Sequence, residues 1–258
     1  MTTPSIAASV PAVTQIRDKN SGFGPAYVPQ PDRNHRPMRR FQISYLRSDG
    51  TSDFREQIGP ALPKFEAAFS AFTRGTLINT PRGRVAIEDL EPGMEVTTKD
   101  GEPLPITWIG SMTIIPHAPG IDPRSCRMTR VMPEAFGLGR PEANLMAGPG
   151  ARIMSRPEGL RDSMSGDQML TPARDLADGL NVIEIAPQHP VSVYHLCLPR
   201  HSVITAAGLE METFHPGNGF DRNMGQNALS LFMSMFPHLS RPTEFGSTRY
   251  MRLPTDLF

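Results

Sequence analysis

At 258 residues the chain is long enough for a real core, as one large β domain or two smaller ones. Its 26 basic side chains balance 26 acidic ones, which removes the electrostatic case for nucleic acid or an anionic membrane as partner. With 27 Pro and 22 Gly the composition favours many short elements joined by turns over long helices, and no apolar run approaches the ~18–20 residues of a membrane span.

The opening, MTTPSIAASVPAV, has neither a basic start nor a sustained apolar run, so no secretory signal is expected. Only two cysteines occur, Cys126 and Cys197; they read as free structural thiols, and a reducing cytoplasm is the expected location, export by other routes staying open. Residues 1 to about 37 are rich in Pro, Ser and Thr and read as a mobile tail or an extended surface segment. Arg33, His35, Arg36, Arg39 and Arg40 form a basic knot at its end, read as a solvated hinge, with an anion or partner contact as the sharper alternative. Phe41–Leu46 alternates, and Phe54–Ile58 can pair back on it across the turn at Arg47–Thr51. Residues 1–60 are thus read as a Pro-rich tail with room for a small hairpin.

Phe65, Ala68, Phe69 and Phe72 recur at i, i+3, i+4 and i+7. With Pro63 in the first turn, this predicts a short amphipathic helix over Lys64–Phe72. Four strand-sized runs then follow within forty residues: Thr76–Ile78, Val85–Ile87, Val96–Thr98 and Ile106–Ile109. They are separated by the turn signals Pro81-Arg82-Gly83, Glu91-Pro92-Gly93 and Lys99-Asp100-Gly101. Further strands are expected at Met112–Ile115, Cys126–Met132, Val182–Ile185, Val191–Cys197 and His201–Ala206. Asn144–Ala147 and Arg152–Ser155 flank Gly148-Pro149-Gly150-Ala151 as two strands with a tight connection. Residues 156–168 read as a mobile loop, and Thr171 as the N-cap of a short helix with Pro172 at its first position. One more amphipathic helix is expected at about Asn227–Met235, ending in Phe236-Pro237.

Several of these residues together resemble the Hedgehog/intein (Hint) autoprocessing domains, most closely their bacterial branch. The resemblance rests on Gly75-Thr76-Leu77-Ile78, Thr80-Pro81, Gly83, Ile87-Glu88-Asp89-Leu90, Pro92-Gly93, Val96, Asp100-Gly101 and Trp108-Ile109-Gly110. It continues in the His201-Ser202-Val203-Ile204 run and the Gly208–Phe214 ending. It covers about residues 65–240, strongest at 75–110 and 193–217. It implies a mainly β, pseudo-two-fold Hint module with a few short helices, a domain over 61–240, and a C-terminal tail over 241–258.

In active members of that family a Cys stands immediately before the Phe-Thr of the opening and attacks the preceding carbonyl, giving a thioester. A His on a later loop, in a pattern resembling Ser-Pro-Gln-His-Arg-Val-Leu, handles the amide nitrogen. The matching positions here are Ala71 and Ala151, the latter in Gly148-Pro149-Gly150-Ala151-Arg152-Ile153-Met154. A methyl group is neither a nucleophile nor an acid. The resemblance therefore points to a vestigial site of Ala71, Ala151, His195 and His201, in a module that binds or supports a peptide segment or another protein, in cis or in trans, without cutting it. The chain's own residues 60–72 are one candidate occupant. The alternative is self-processing between residues 69 and 73, with Ser70 or Thr73 as substitute nucleophile and His195 or His201 as base. A third reading, a hydrolase acting in trans, finds no convincing constellation, Cys197 being the residue to watch.

Other patterns point less far. His189, His195 and His201 recur every six residues, a spacing that suggests a metal site until Pro190 and Pro199 interrupt it. Glu88/Asp89 and Glu210/Glu212 read as solvated edges rather than hydrolase pairs. Gly137-Leu138-Gly139 lacks the rest of a phosphate loop. No cofactor or metal is expected.

Overall fold

The structure, a computed structural model, describes residues 37–156 and 168–253. The alternation seen in Phe41–Leu46 belongs to β1 (Met38–Leu46), which buries Arg39, Phe41 and Ile43 on one face while Arg40 and Gln42 look outward. It pairs residue for residue with β2 (Ser52–Pro60). Fourteen further strands follow among the described residues: β3 (Phe72–Thr73), β4 (Leu77–Thr80), β5 (Gly83–Ala86), β6 (Glu95–Thr97), β7 (Pro103–Pro105), β8 (Trp108–Ile114), β9 (Met128–Val131), β10 (Leu145–Ala147), β11 (Arg152–Ser155), β12 (Met169–Pro172), β13 (Val182–Ile185), β14 (Val191–Cys197), β15 (Val203–Ala206) and β16 (Leu209–Glu212). The two α-helices described are α1 (Pro63–Glu66) and α2 (Gln226–Ser234). The fold is mainly β, with every pairing between these strands antiparallel.

An eight-stranded sheet runs in the order β13-β9-β10-β3-β14-β8-β1-β2, a six-stranded sheet in the order β12-β11-β16-β15-β4-β5, and β6 and β7 form a separate ribbon. One apolar cluster gathers Phe72, Ile78, Ile106, Ile153, Leu196 and Ile204. A second is aromatic. Trp108 is fully buried, stacks on Phe236 at 4.7 Å between centroids and donates its indole N–H to the Met235 carbonyl at 2.8 Å. That bond satisfies the one polar atom of the largest core side chain and fixes the end of α2 against β8.

Several local expectations are corrected by long-range pairing. The helix expected over Lys64–Phe72 ends early: α1 passes into a single 3-10 turn over Ala67–Phe69, and Phe72 starts β3. Its helical spacing loses because the backbone of residues 71–73 is claimed by β14 and β10. The expected strands at 106–109 and 112–115 merge into one, β8, which runs from Trp108 to Ile114 and leaves Ile106, Thr107 and Ile115 outside it. The strands flanking Gly148–Ala151 do not form a hairpin: β10 lies in the eight-stranded sheet and β11 in the six-stranded one, so this connection steps from sheet to sheet. Thr171 sits in β12, its hydroxyl accepting from Ser155 Oγ at 2.8 Å, and the 3-10 turn that follows, Ala173–Leu176, has no side-chain cap.

Arg39 is not solvated: it is buried in an ion pair with Glu66 and donates to the Thr113 carbonyl at 2.6 Å. Arg33, His35 and Arg36, like most of the loop read at 156–168, lie outside the described residues. Residues 241–253, read from sequence as a tail, pack onto the domain through the buried Phe245 and through Arg252.

Candidate functional site

After β1 and β2 the chain returns to the eight-stranded sheet at Ser70–Thr73, and the site is built around that return. Phe72 pairs with Ala147 on one side and Tyr194 on the other. The Ala71 N–H donates to the Tyr194 carbonyl at 2.9 Å, and the Ala71 carbonyl accepts from the Gly148 N–H at 2.9 Å. One residue upstream, the Ser70 carbonyl accepts from the Gly150 N–H at 2.9 Å. The Ala151 N–H closes the turn onto the Gly148 carbonyl at 3.0 Å. Ala71 and Ala151 therefore belong to one tight knot of backbone, and both lie in the first apolar cluster.

Both glycines of that turn are required by space. A Cβ on Gly148 would stand 2.1 Å from the Ser70 carbonyl oxygen, and one on Gly150 would stand 2.5 Å from the Ala67 carbonyl oxygen. Ser70 is fully buried, and its hydroxyl has no hydrogen-bond partner among the described residues. The Thr73 hydroxyl donates to the Met146 carbonyl at 2.8 Å.

A cavity of about 270 Å³ opens beside this knot. Gly150, Ala151 and His195 line it, as do Glu212, Phe214 and Arg252. His195 projects from β14 between the rings of Phe72 (5.6 Å) and Phe214 (5.4 Å), and its Nδ1 accepts from the Leu196 N–H at 3.1 Å. Burial pushes its pKa down to about 3, so the imidazole is neutral at physiological pH.

His201, the other sequence candidate, lies away from the cavity lining. Its Nδ1 accepts from the Arg249 N–H at 2.9 Å, which leaves Nε2–H to donate to Glu212 Oε1 at 2.7 Å. His189 is exposed, so the six-residue spacing brings no three imidazoles together. Among the described residues no group of three His, Cys, Asp or Glu side chains is placed to hold a metal ion. Cys197 is buried, and burial pushes its thiol well above the usual range, which makes a poor nucleophile.

Glu212 is the residue that sequence reasoning misjudged. It is not a solvated edge but 4% exposed, with Arg252 Nε at 2.7 Å and Arg152 Nε at 3.7 Å from its two oxygens. Burial works to raise its pKa, but Arg252, the His201 hydrogen bond and Arg152 outweigh it and hold it at about 2. Glu210, on the same face, meets Lys99 at 2.6 Å at the surface. The two glutamates carry the same alternating signal, and only the partners brought to Glu212 by the fold, Arg252, His201 and Arg152, distinguish them.

With this geometry in place, comparison with known proteins decides the family. The Hint domain family matches residues 70–218, more than half of the chain. The chain belongs to the Hint domain family. The match starts at Ser70 and takes in every residue of the knot around Ala71, while the segment carrying Arg252 lies beyond it. Solved structures similar to this Hint domain include a bacterial intein-like domain from Clostridium thermocellum (13% identity, 56% of this chain and 99% of that one, TM-score 0.39). They also include the MchDnaB-1 intein (15% identity, 56% and 100%, TM-score 0.35) and the Msm DnaB1 intein splicing domain bound with zinc (16% identity, 56% and 100%, TM-score 0.34). No curated protein matches the chain.

Proposed function

We propose that this Hint domain has given up self-cleavage and serves as a binding or structural module, with the segment that enters it, residues 61–70, held uncut in the former cleavage cleft. The observation that carries this reading is the backbone knot that brings Ala71 and Ala151 together with no nucleophile, acid or base on either side chain. The segment upstream of Ala71 is held by the Gly150 N–H on the Ser70 carbonyl, in a turn where a Cβ at position 148 or 150 would collide with that segment.

The chemistry agrees. An N-to-S acyl shift needs a nucleophile on residue 71 and a proton for the departing amide nitrogen. Ala71 offers a methyl group, Ala151 offers no proton, and the Ala71 N–H is already bonded to the Tyr194 carbonyl. The substitute nucleophiles fare little better. Thr73 is committed to the Met146 carbonyl, and among the described residues the Ser70 hydroxyl has no base as hydrogen-bond partner. A backbone donor on the carbonyl is the part of such machinery that survives, and by itself it stabilises charge that no group here generates.

Intact-mass spectrometry of the purified full chain, after long incubation with and without thiol or hydroxylamine, tests the proposal. A single full-length species is expected. A cut between residues 69 and 73 would overturn it in favour of self-processing.

A further inference from the structure

We propose that the outer edge of β12, together with the buried Glu212, forms a groove for an extended, arginine-bearing peptide, and that the chain's own residues Arg249–Leu253 fill it in cis. This does not rest on whether the bond before Ala71 is cut. The strands that build the groove lie within the Hint match at residues 70–218, whereas the segment that fills it lies beyond.

The seating is that of an added strand. β12 is the outermost strand of the six-stranded sheet, and Arg252 bridges Leu170 in parallel register. The Leu170 N–H donates to the Met251 carbonyl at 2.8 Å, and the Leu253 N–H returns to the Leu170 carbonyl at 3.0 Å. Main-chain bonds of this kind hold any extended peptide on a sheet edge, and pockets for alternate side chains supply the selectivity.

Those pockets are present at a spacing of two. Arg252 points inward, its Nε donating to Glu212 Oε1 at 2.7 Å and its Nη2 to the His215 carbonyl at 2.7 Å. Glu212 lies on β16, two strands in from the edge, so only a long side chain reaches it. The two acceptors lie apart and are matched by the fork of a guanidinium; a lysine ammonium offers no such fork. Tyr250 packs against Met154, Leu170 and Val203, and its hydroxyl donates to Asp100 at 2.9 Å. Arg249 adds an ion pair to Asp100 at 3.1 Å. Met251, between the two pockets, is 61% exposed. The groove thus selects an arginine two residues after an aromatic, on a strand entering parallel to β12; Glu212 and Asp100 meet its basic side chains, and Arg152, beside Glu212, donates to the Leu253 carbonyl at 3.0 Å.

Fluorescence anisotropy on full-length protein tests this, with a labelled synthetic peptide, Thr-Arg-Tyr-Met-Arg-Leu-Pro, copied from residues 248–254. In the wild-type chain the cis segment competes at high effective concentration, so binding should be weak. In Arg252→Ala the peptide should bind saturably and at least ~10-fold more tightly. Replacing the peptide's second arginine by lysine, or adding Glu212→Gln to the protein, should undo that gain. The proposal is overturned if Arg252→Ala keeps the near-UV signal of Trp108 yet gains no affinity, or if the Glu212→Gln double variant binds as well. Should Arg252→Ala lose the Trp108 signal, Arg252→Lys, which keeps the charge, takes its place with the same two outcomes.

Discussion

The Ser70 carbonyl oxygen meets the Gly150 N–H at 2.9 Å, and the meeting is possible only because positions 148 and 150 carry no side chain. The held peptide and the step between the two sheets are one contact. A side chain returned to the turn must push one of them away. Gly148→Ala is expected to lower stability by about 1–3 kcal/mol, the usual range for overpacking, measured by urea unfolding followed on Trp108 fluorescence. Stability within ~0.5 kcal/mol of wild type, the range of a neutral surface change, would show that the cleft has slack and that the segment is not gripped.

If silence comes from two missing groups, returning both should matter and returning one should not. Ala71→Cys alone is expected to stay full length in the presence of thiol, because nothing beside it protonates the amide nitrogen. The Ala71→Cys/Ala151→His pair is expected to show thiol-induced cleavage before position 71, read by mass. A pair that folds normally but stays intact would mean that the remodelled turn, not the absent side chains, blocks the chemistry.

Acid should destabilise the domain in two overlapping windows. His195, His215 and His238 are held down by burial, to about 3, about 4 and about 4, against 6.5 for a free imidazole. Below pH 6.5 the unfolded chain binds protons that the folded one cannot, so stability falls with pH until the folded values are reached. Glu212 works in the same direction. Its folded pKa of about 2 lies below the ordinary 4.5, so its stabilisation is complete above pH 4.5 and disappears as pH falls toward 2. The urea midpoint should therefore drop between pH 7 and pH 4, with a shallower slope in His238→Gln. A flat midpoint across that range would contradict the buried, neutral assignment of these imidazoles.

The Arg39–Glu66 pair ties β1 to α1 with both side chains under 10% exposed. Burial pushes the Glu66 carboxyl up despite the guanidinium beside it, a sign that desolvation is expensive here. Removing one partner, as in Glu66→Gln, should cost about 3–5 kcal/mol, whereas an apolar pair such as Arg39→Met/Glu66→Leu should recover most of that loss. Denaturant midpoints of Arg39→Met, Glu66→Leu and the double variant decide it; additive losses would show that the pair is not coupled.

The strand pattern was legible because alternation and turn residues are local. Phe41–Leu46, Val182–Ile185 and Val191–Cys197 announce themselves within four to seven residues. What misled were places where a distant partner decides. Phe72 completes a helical spacing, but its backbone is taken by Ala147 and Tyr194. Gly148–Ala151 looks like a hairpin turn, and nothing local reveals that its flanking strands belong to different sheets. Arg39 looked solvated in a run of charges until Glu66 came to meet it. At the site, Ala71 and Ala151 could be matched as positions, yet the crowding of Gly148 against Ser70 becomes visible only in three dimensions. The same holds for the partnership of Glu212 with Arg252.

The two-residue strand β3 stands in the middle of an eight-stranded sheet, and its neighbours come from much later in the chain. During synthesis, residues 72 and 73 have no partner on either side until residues 147 and 194 have emerged. Such distant pairings form late and slowly. The segment before Ala71 is thus enclosed from both sides by chain made after it.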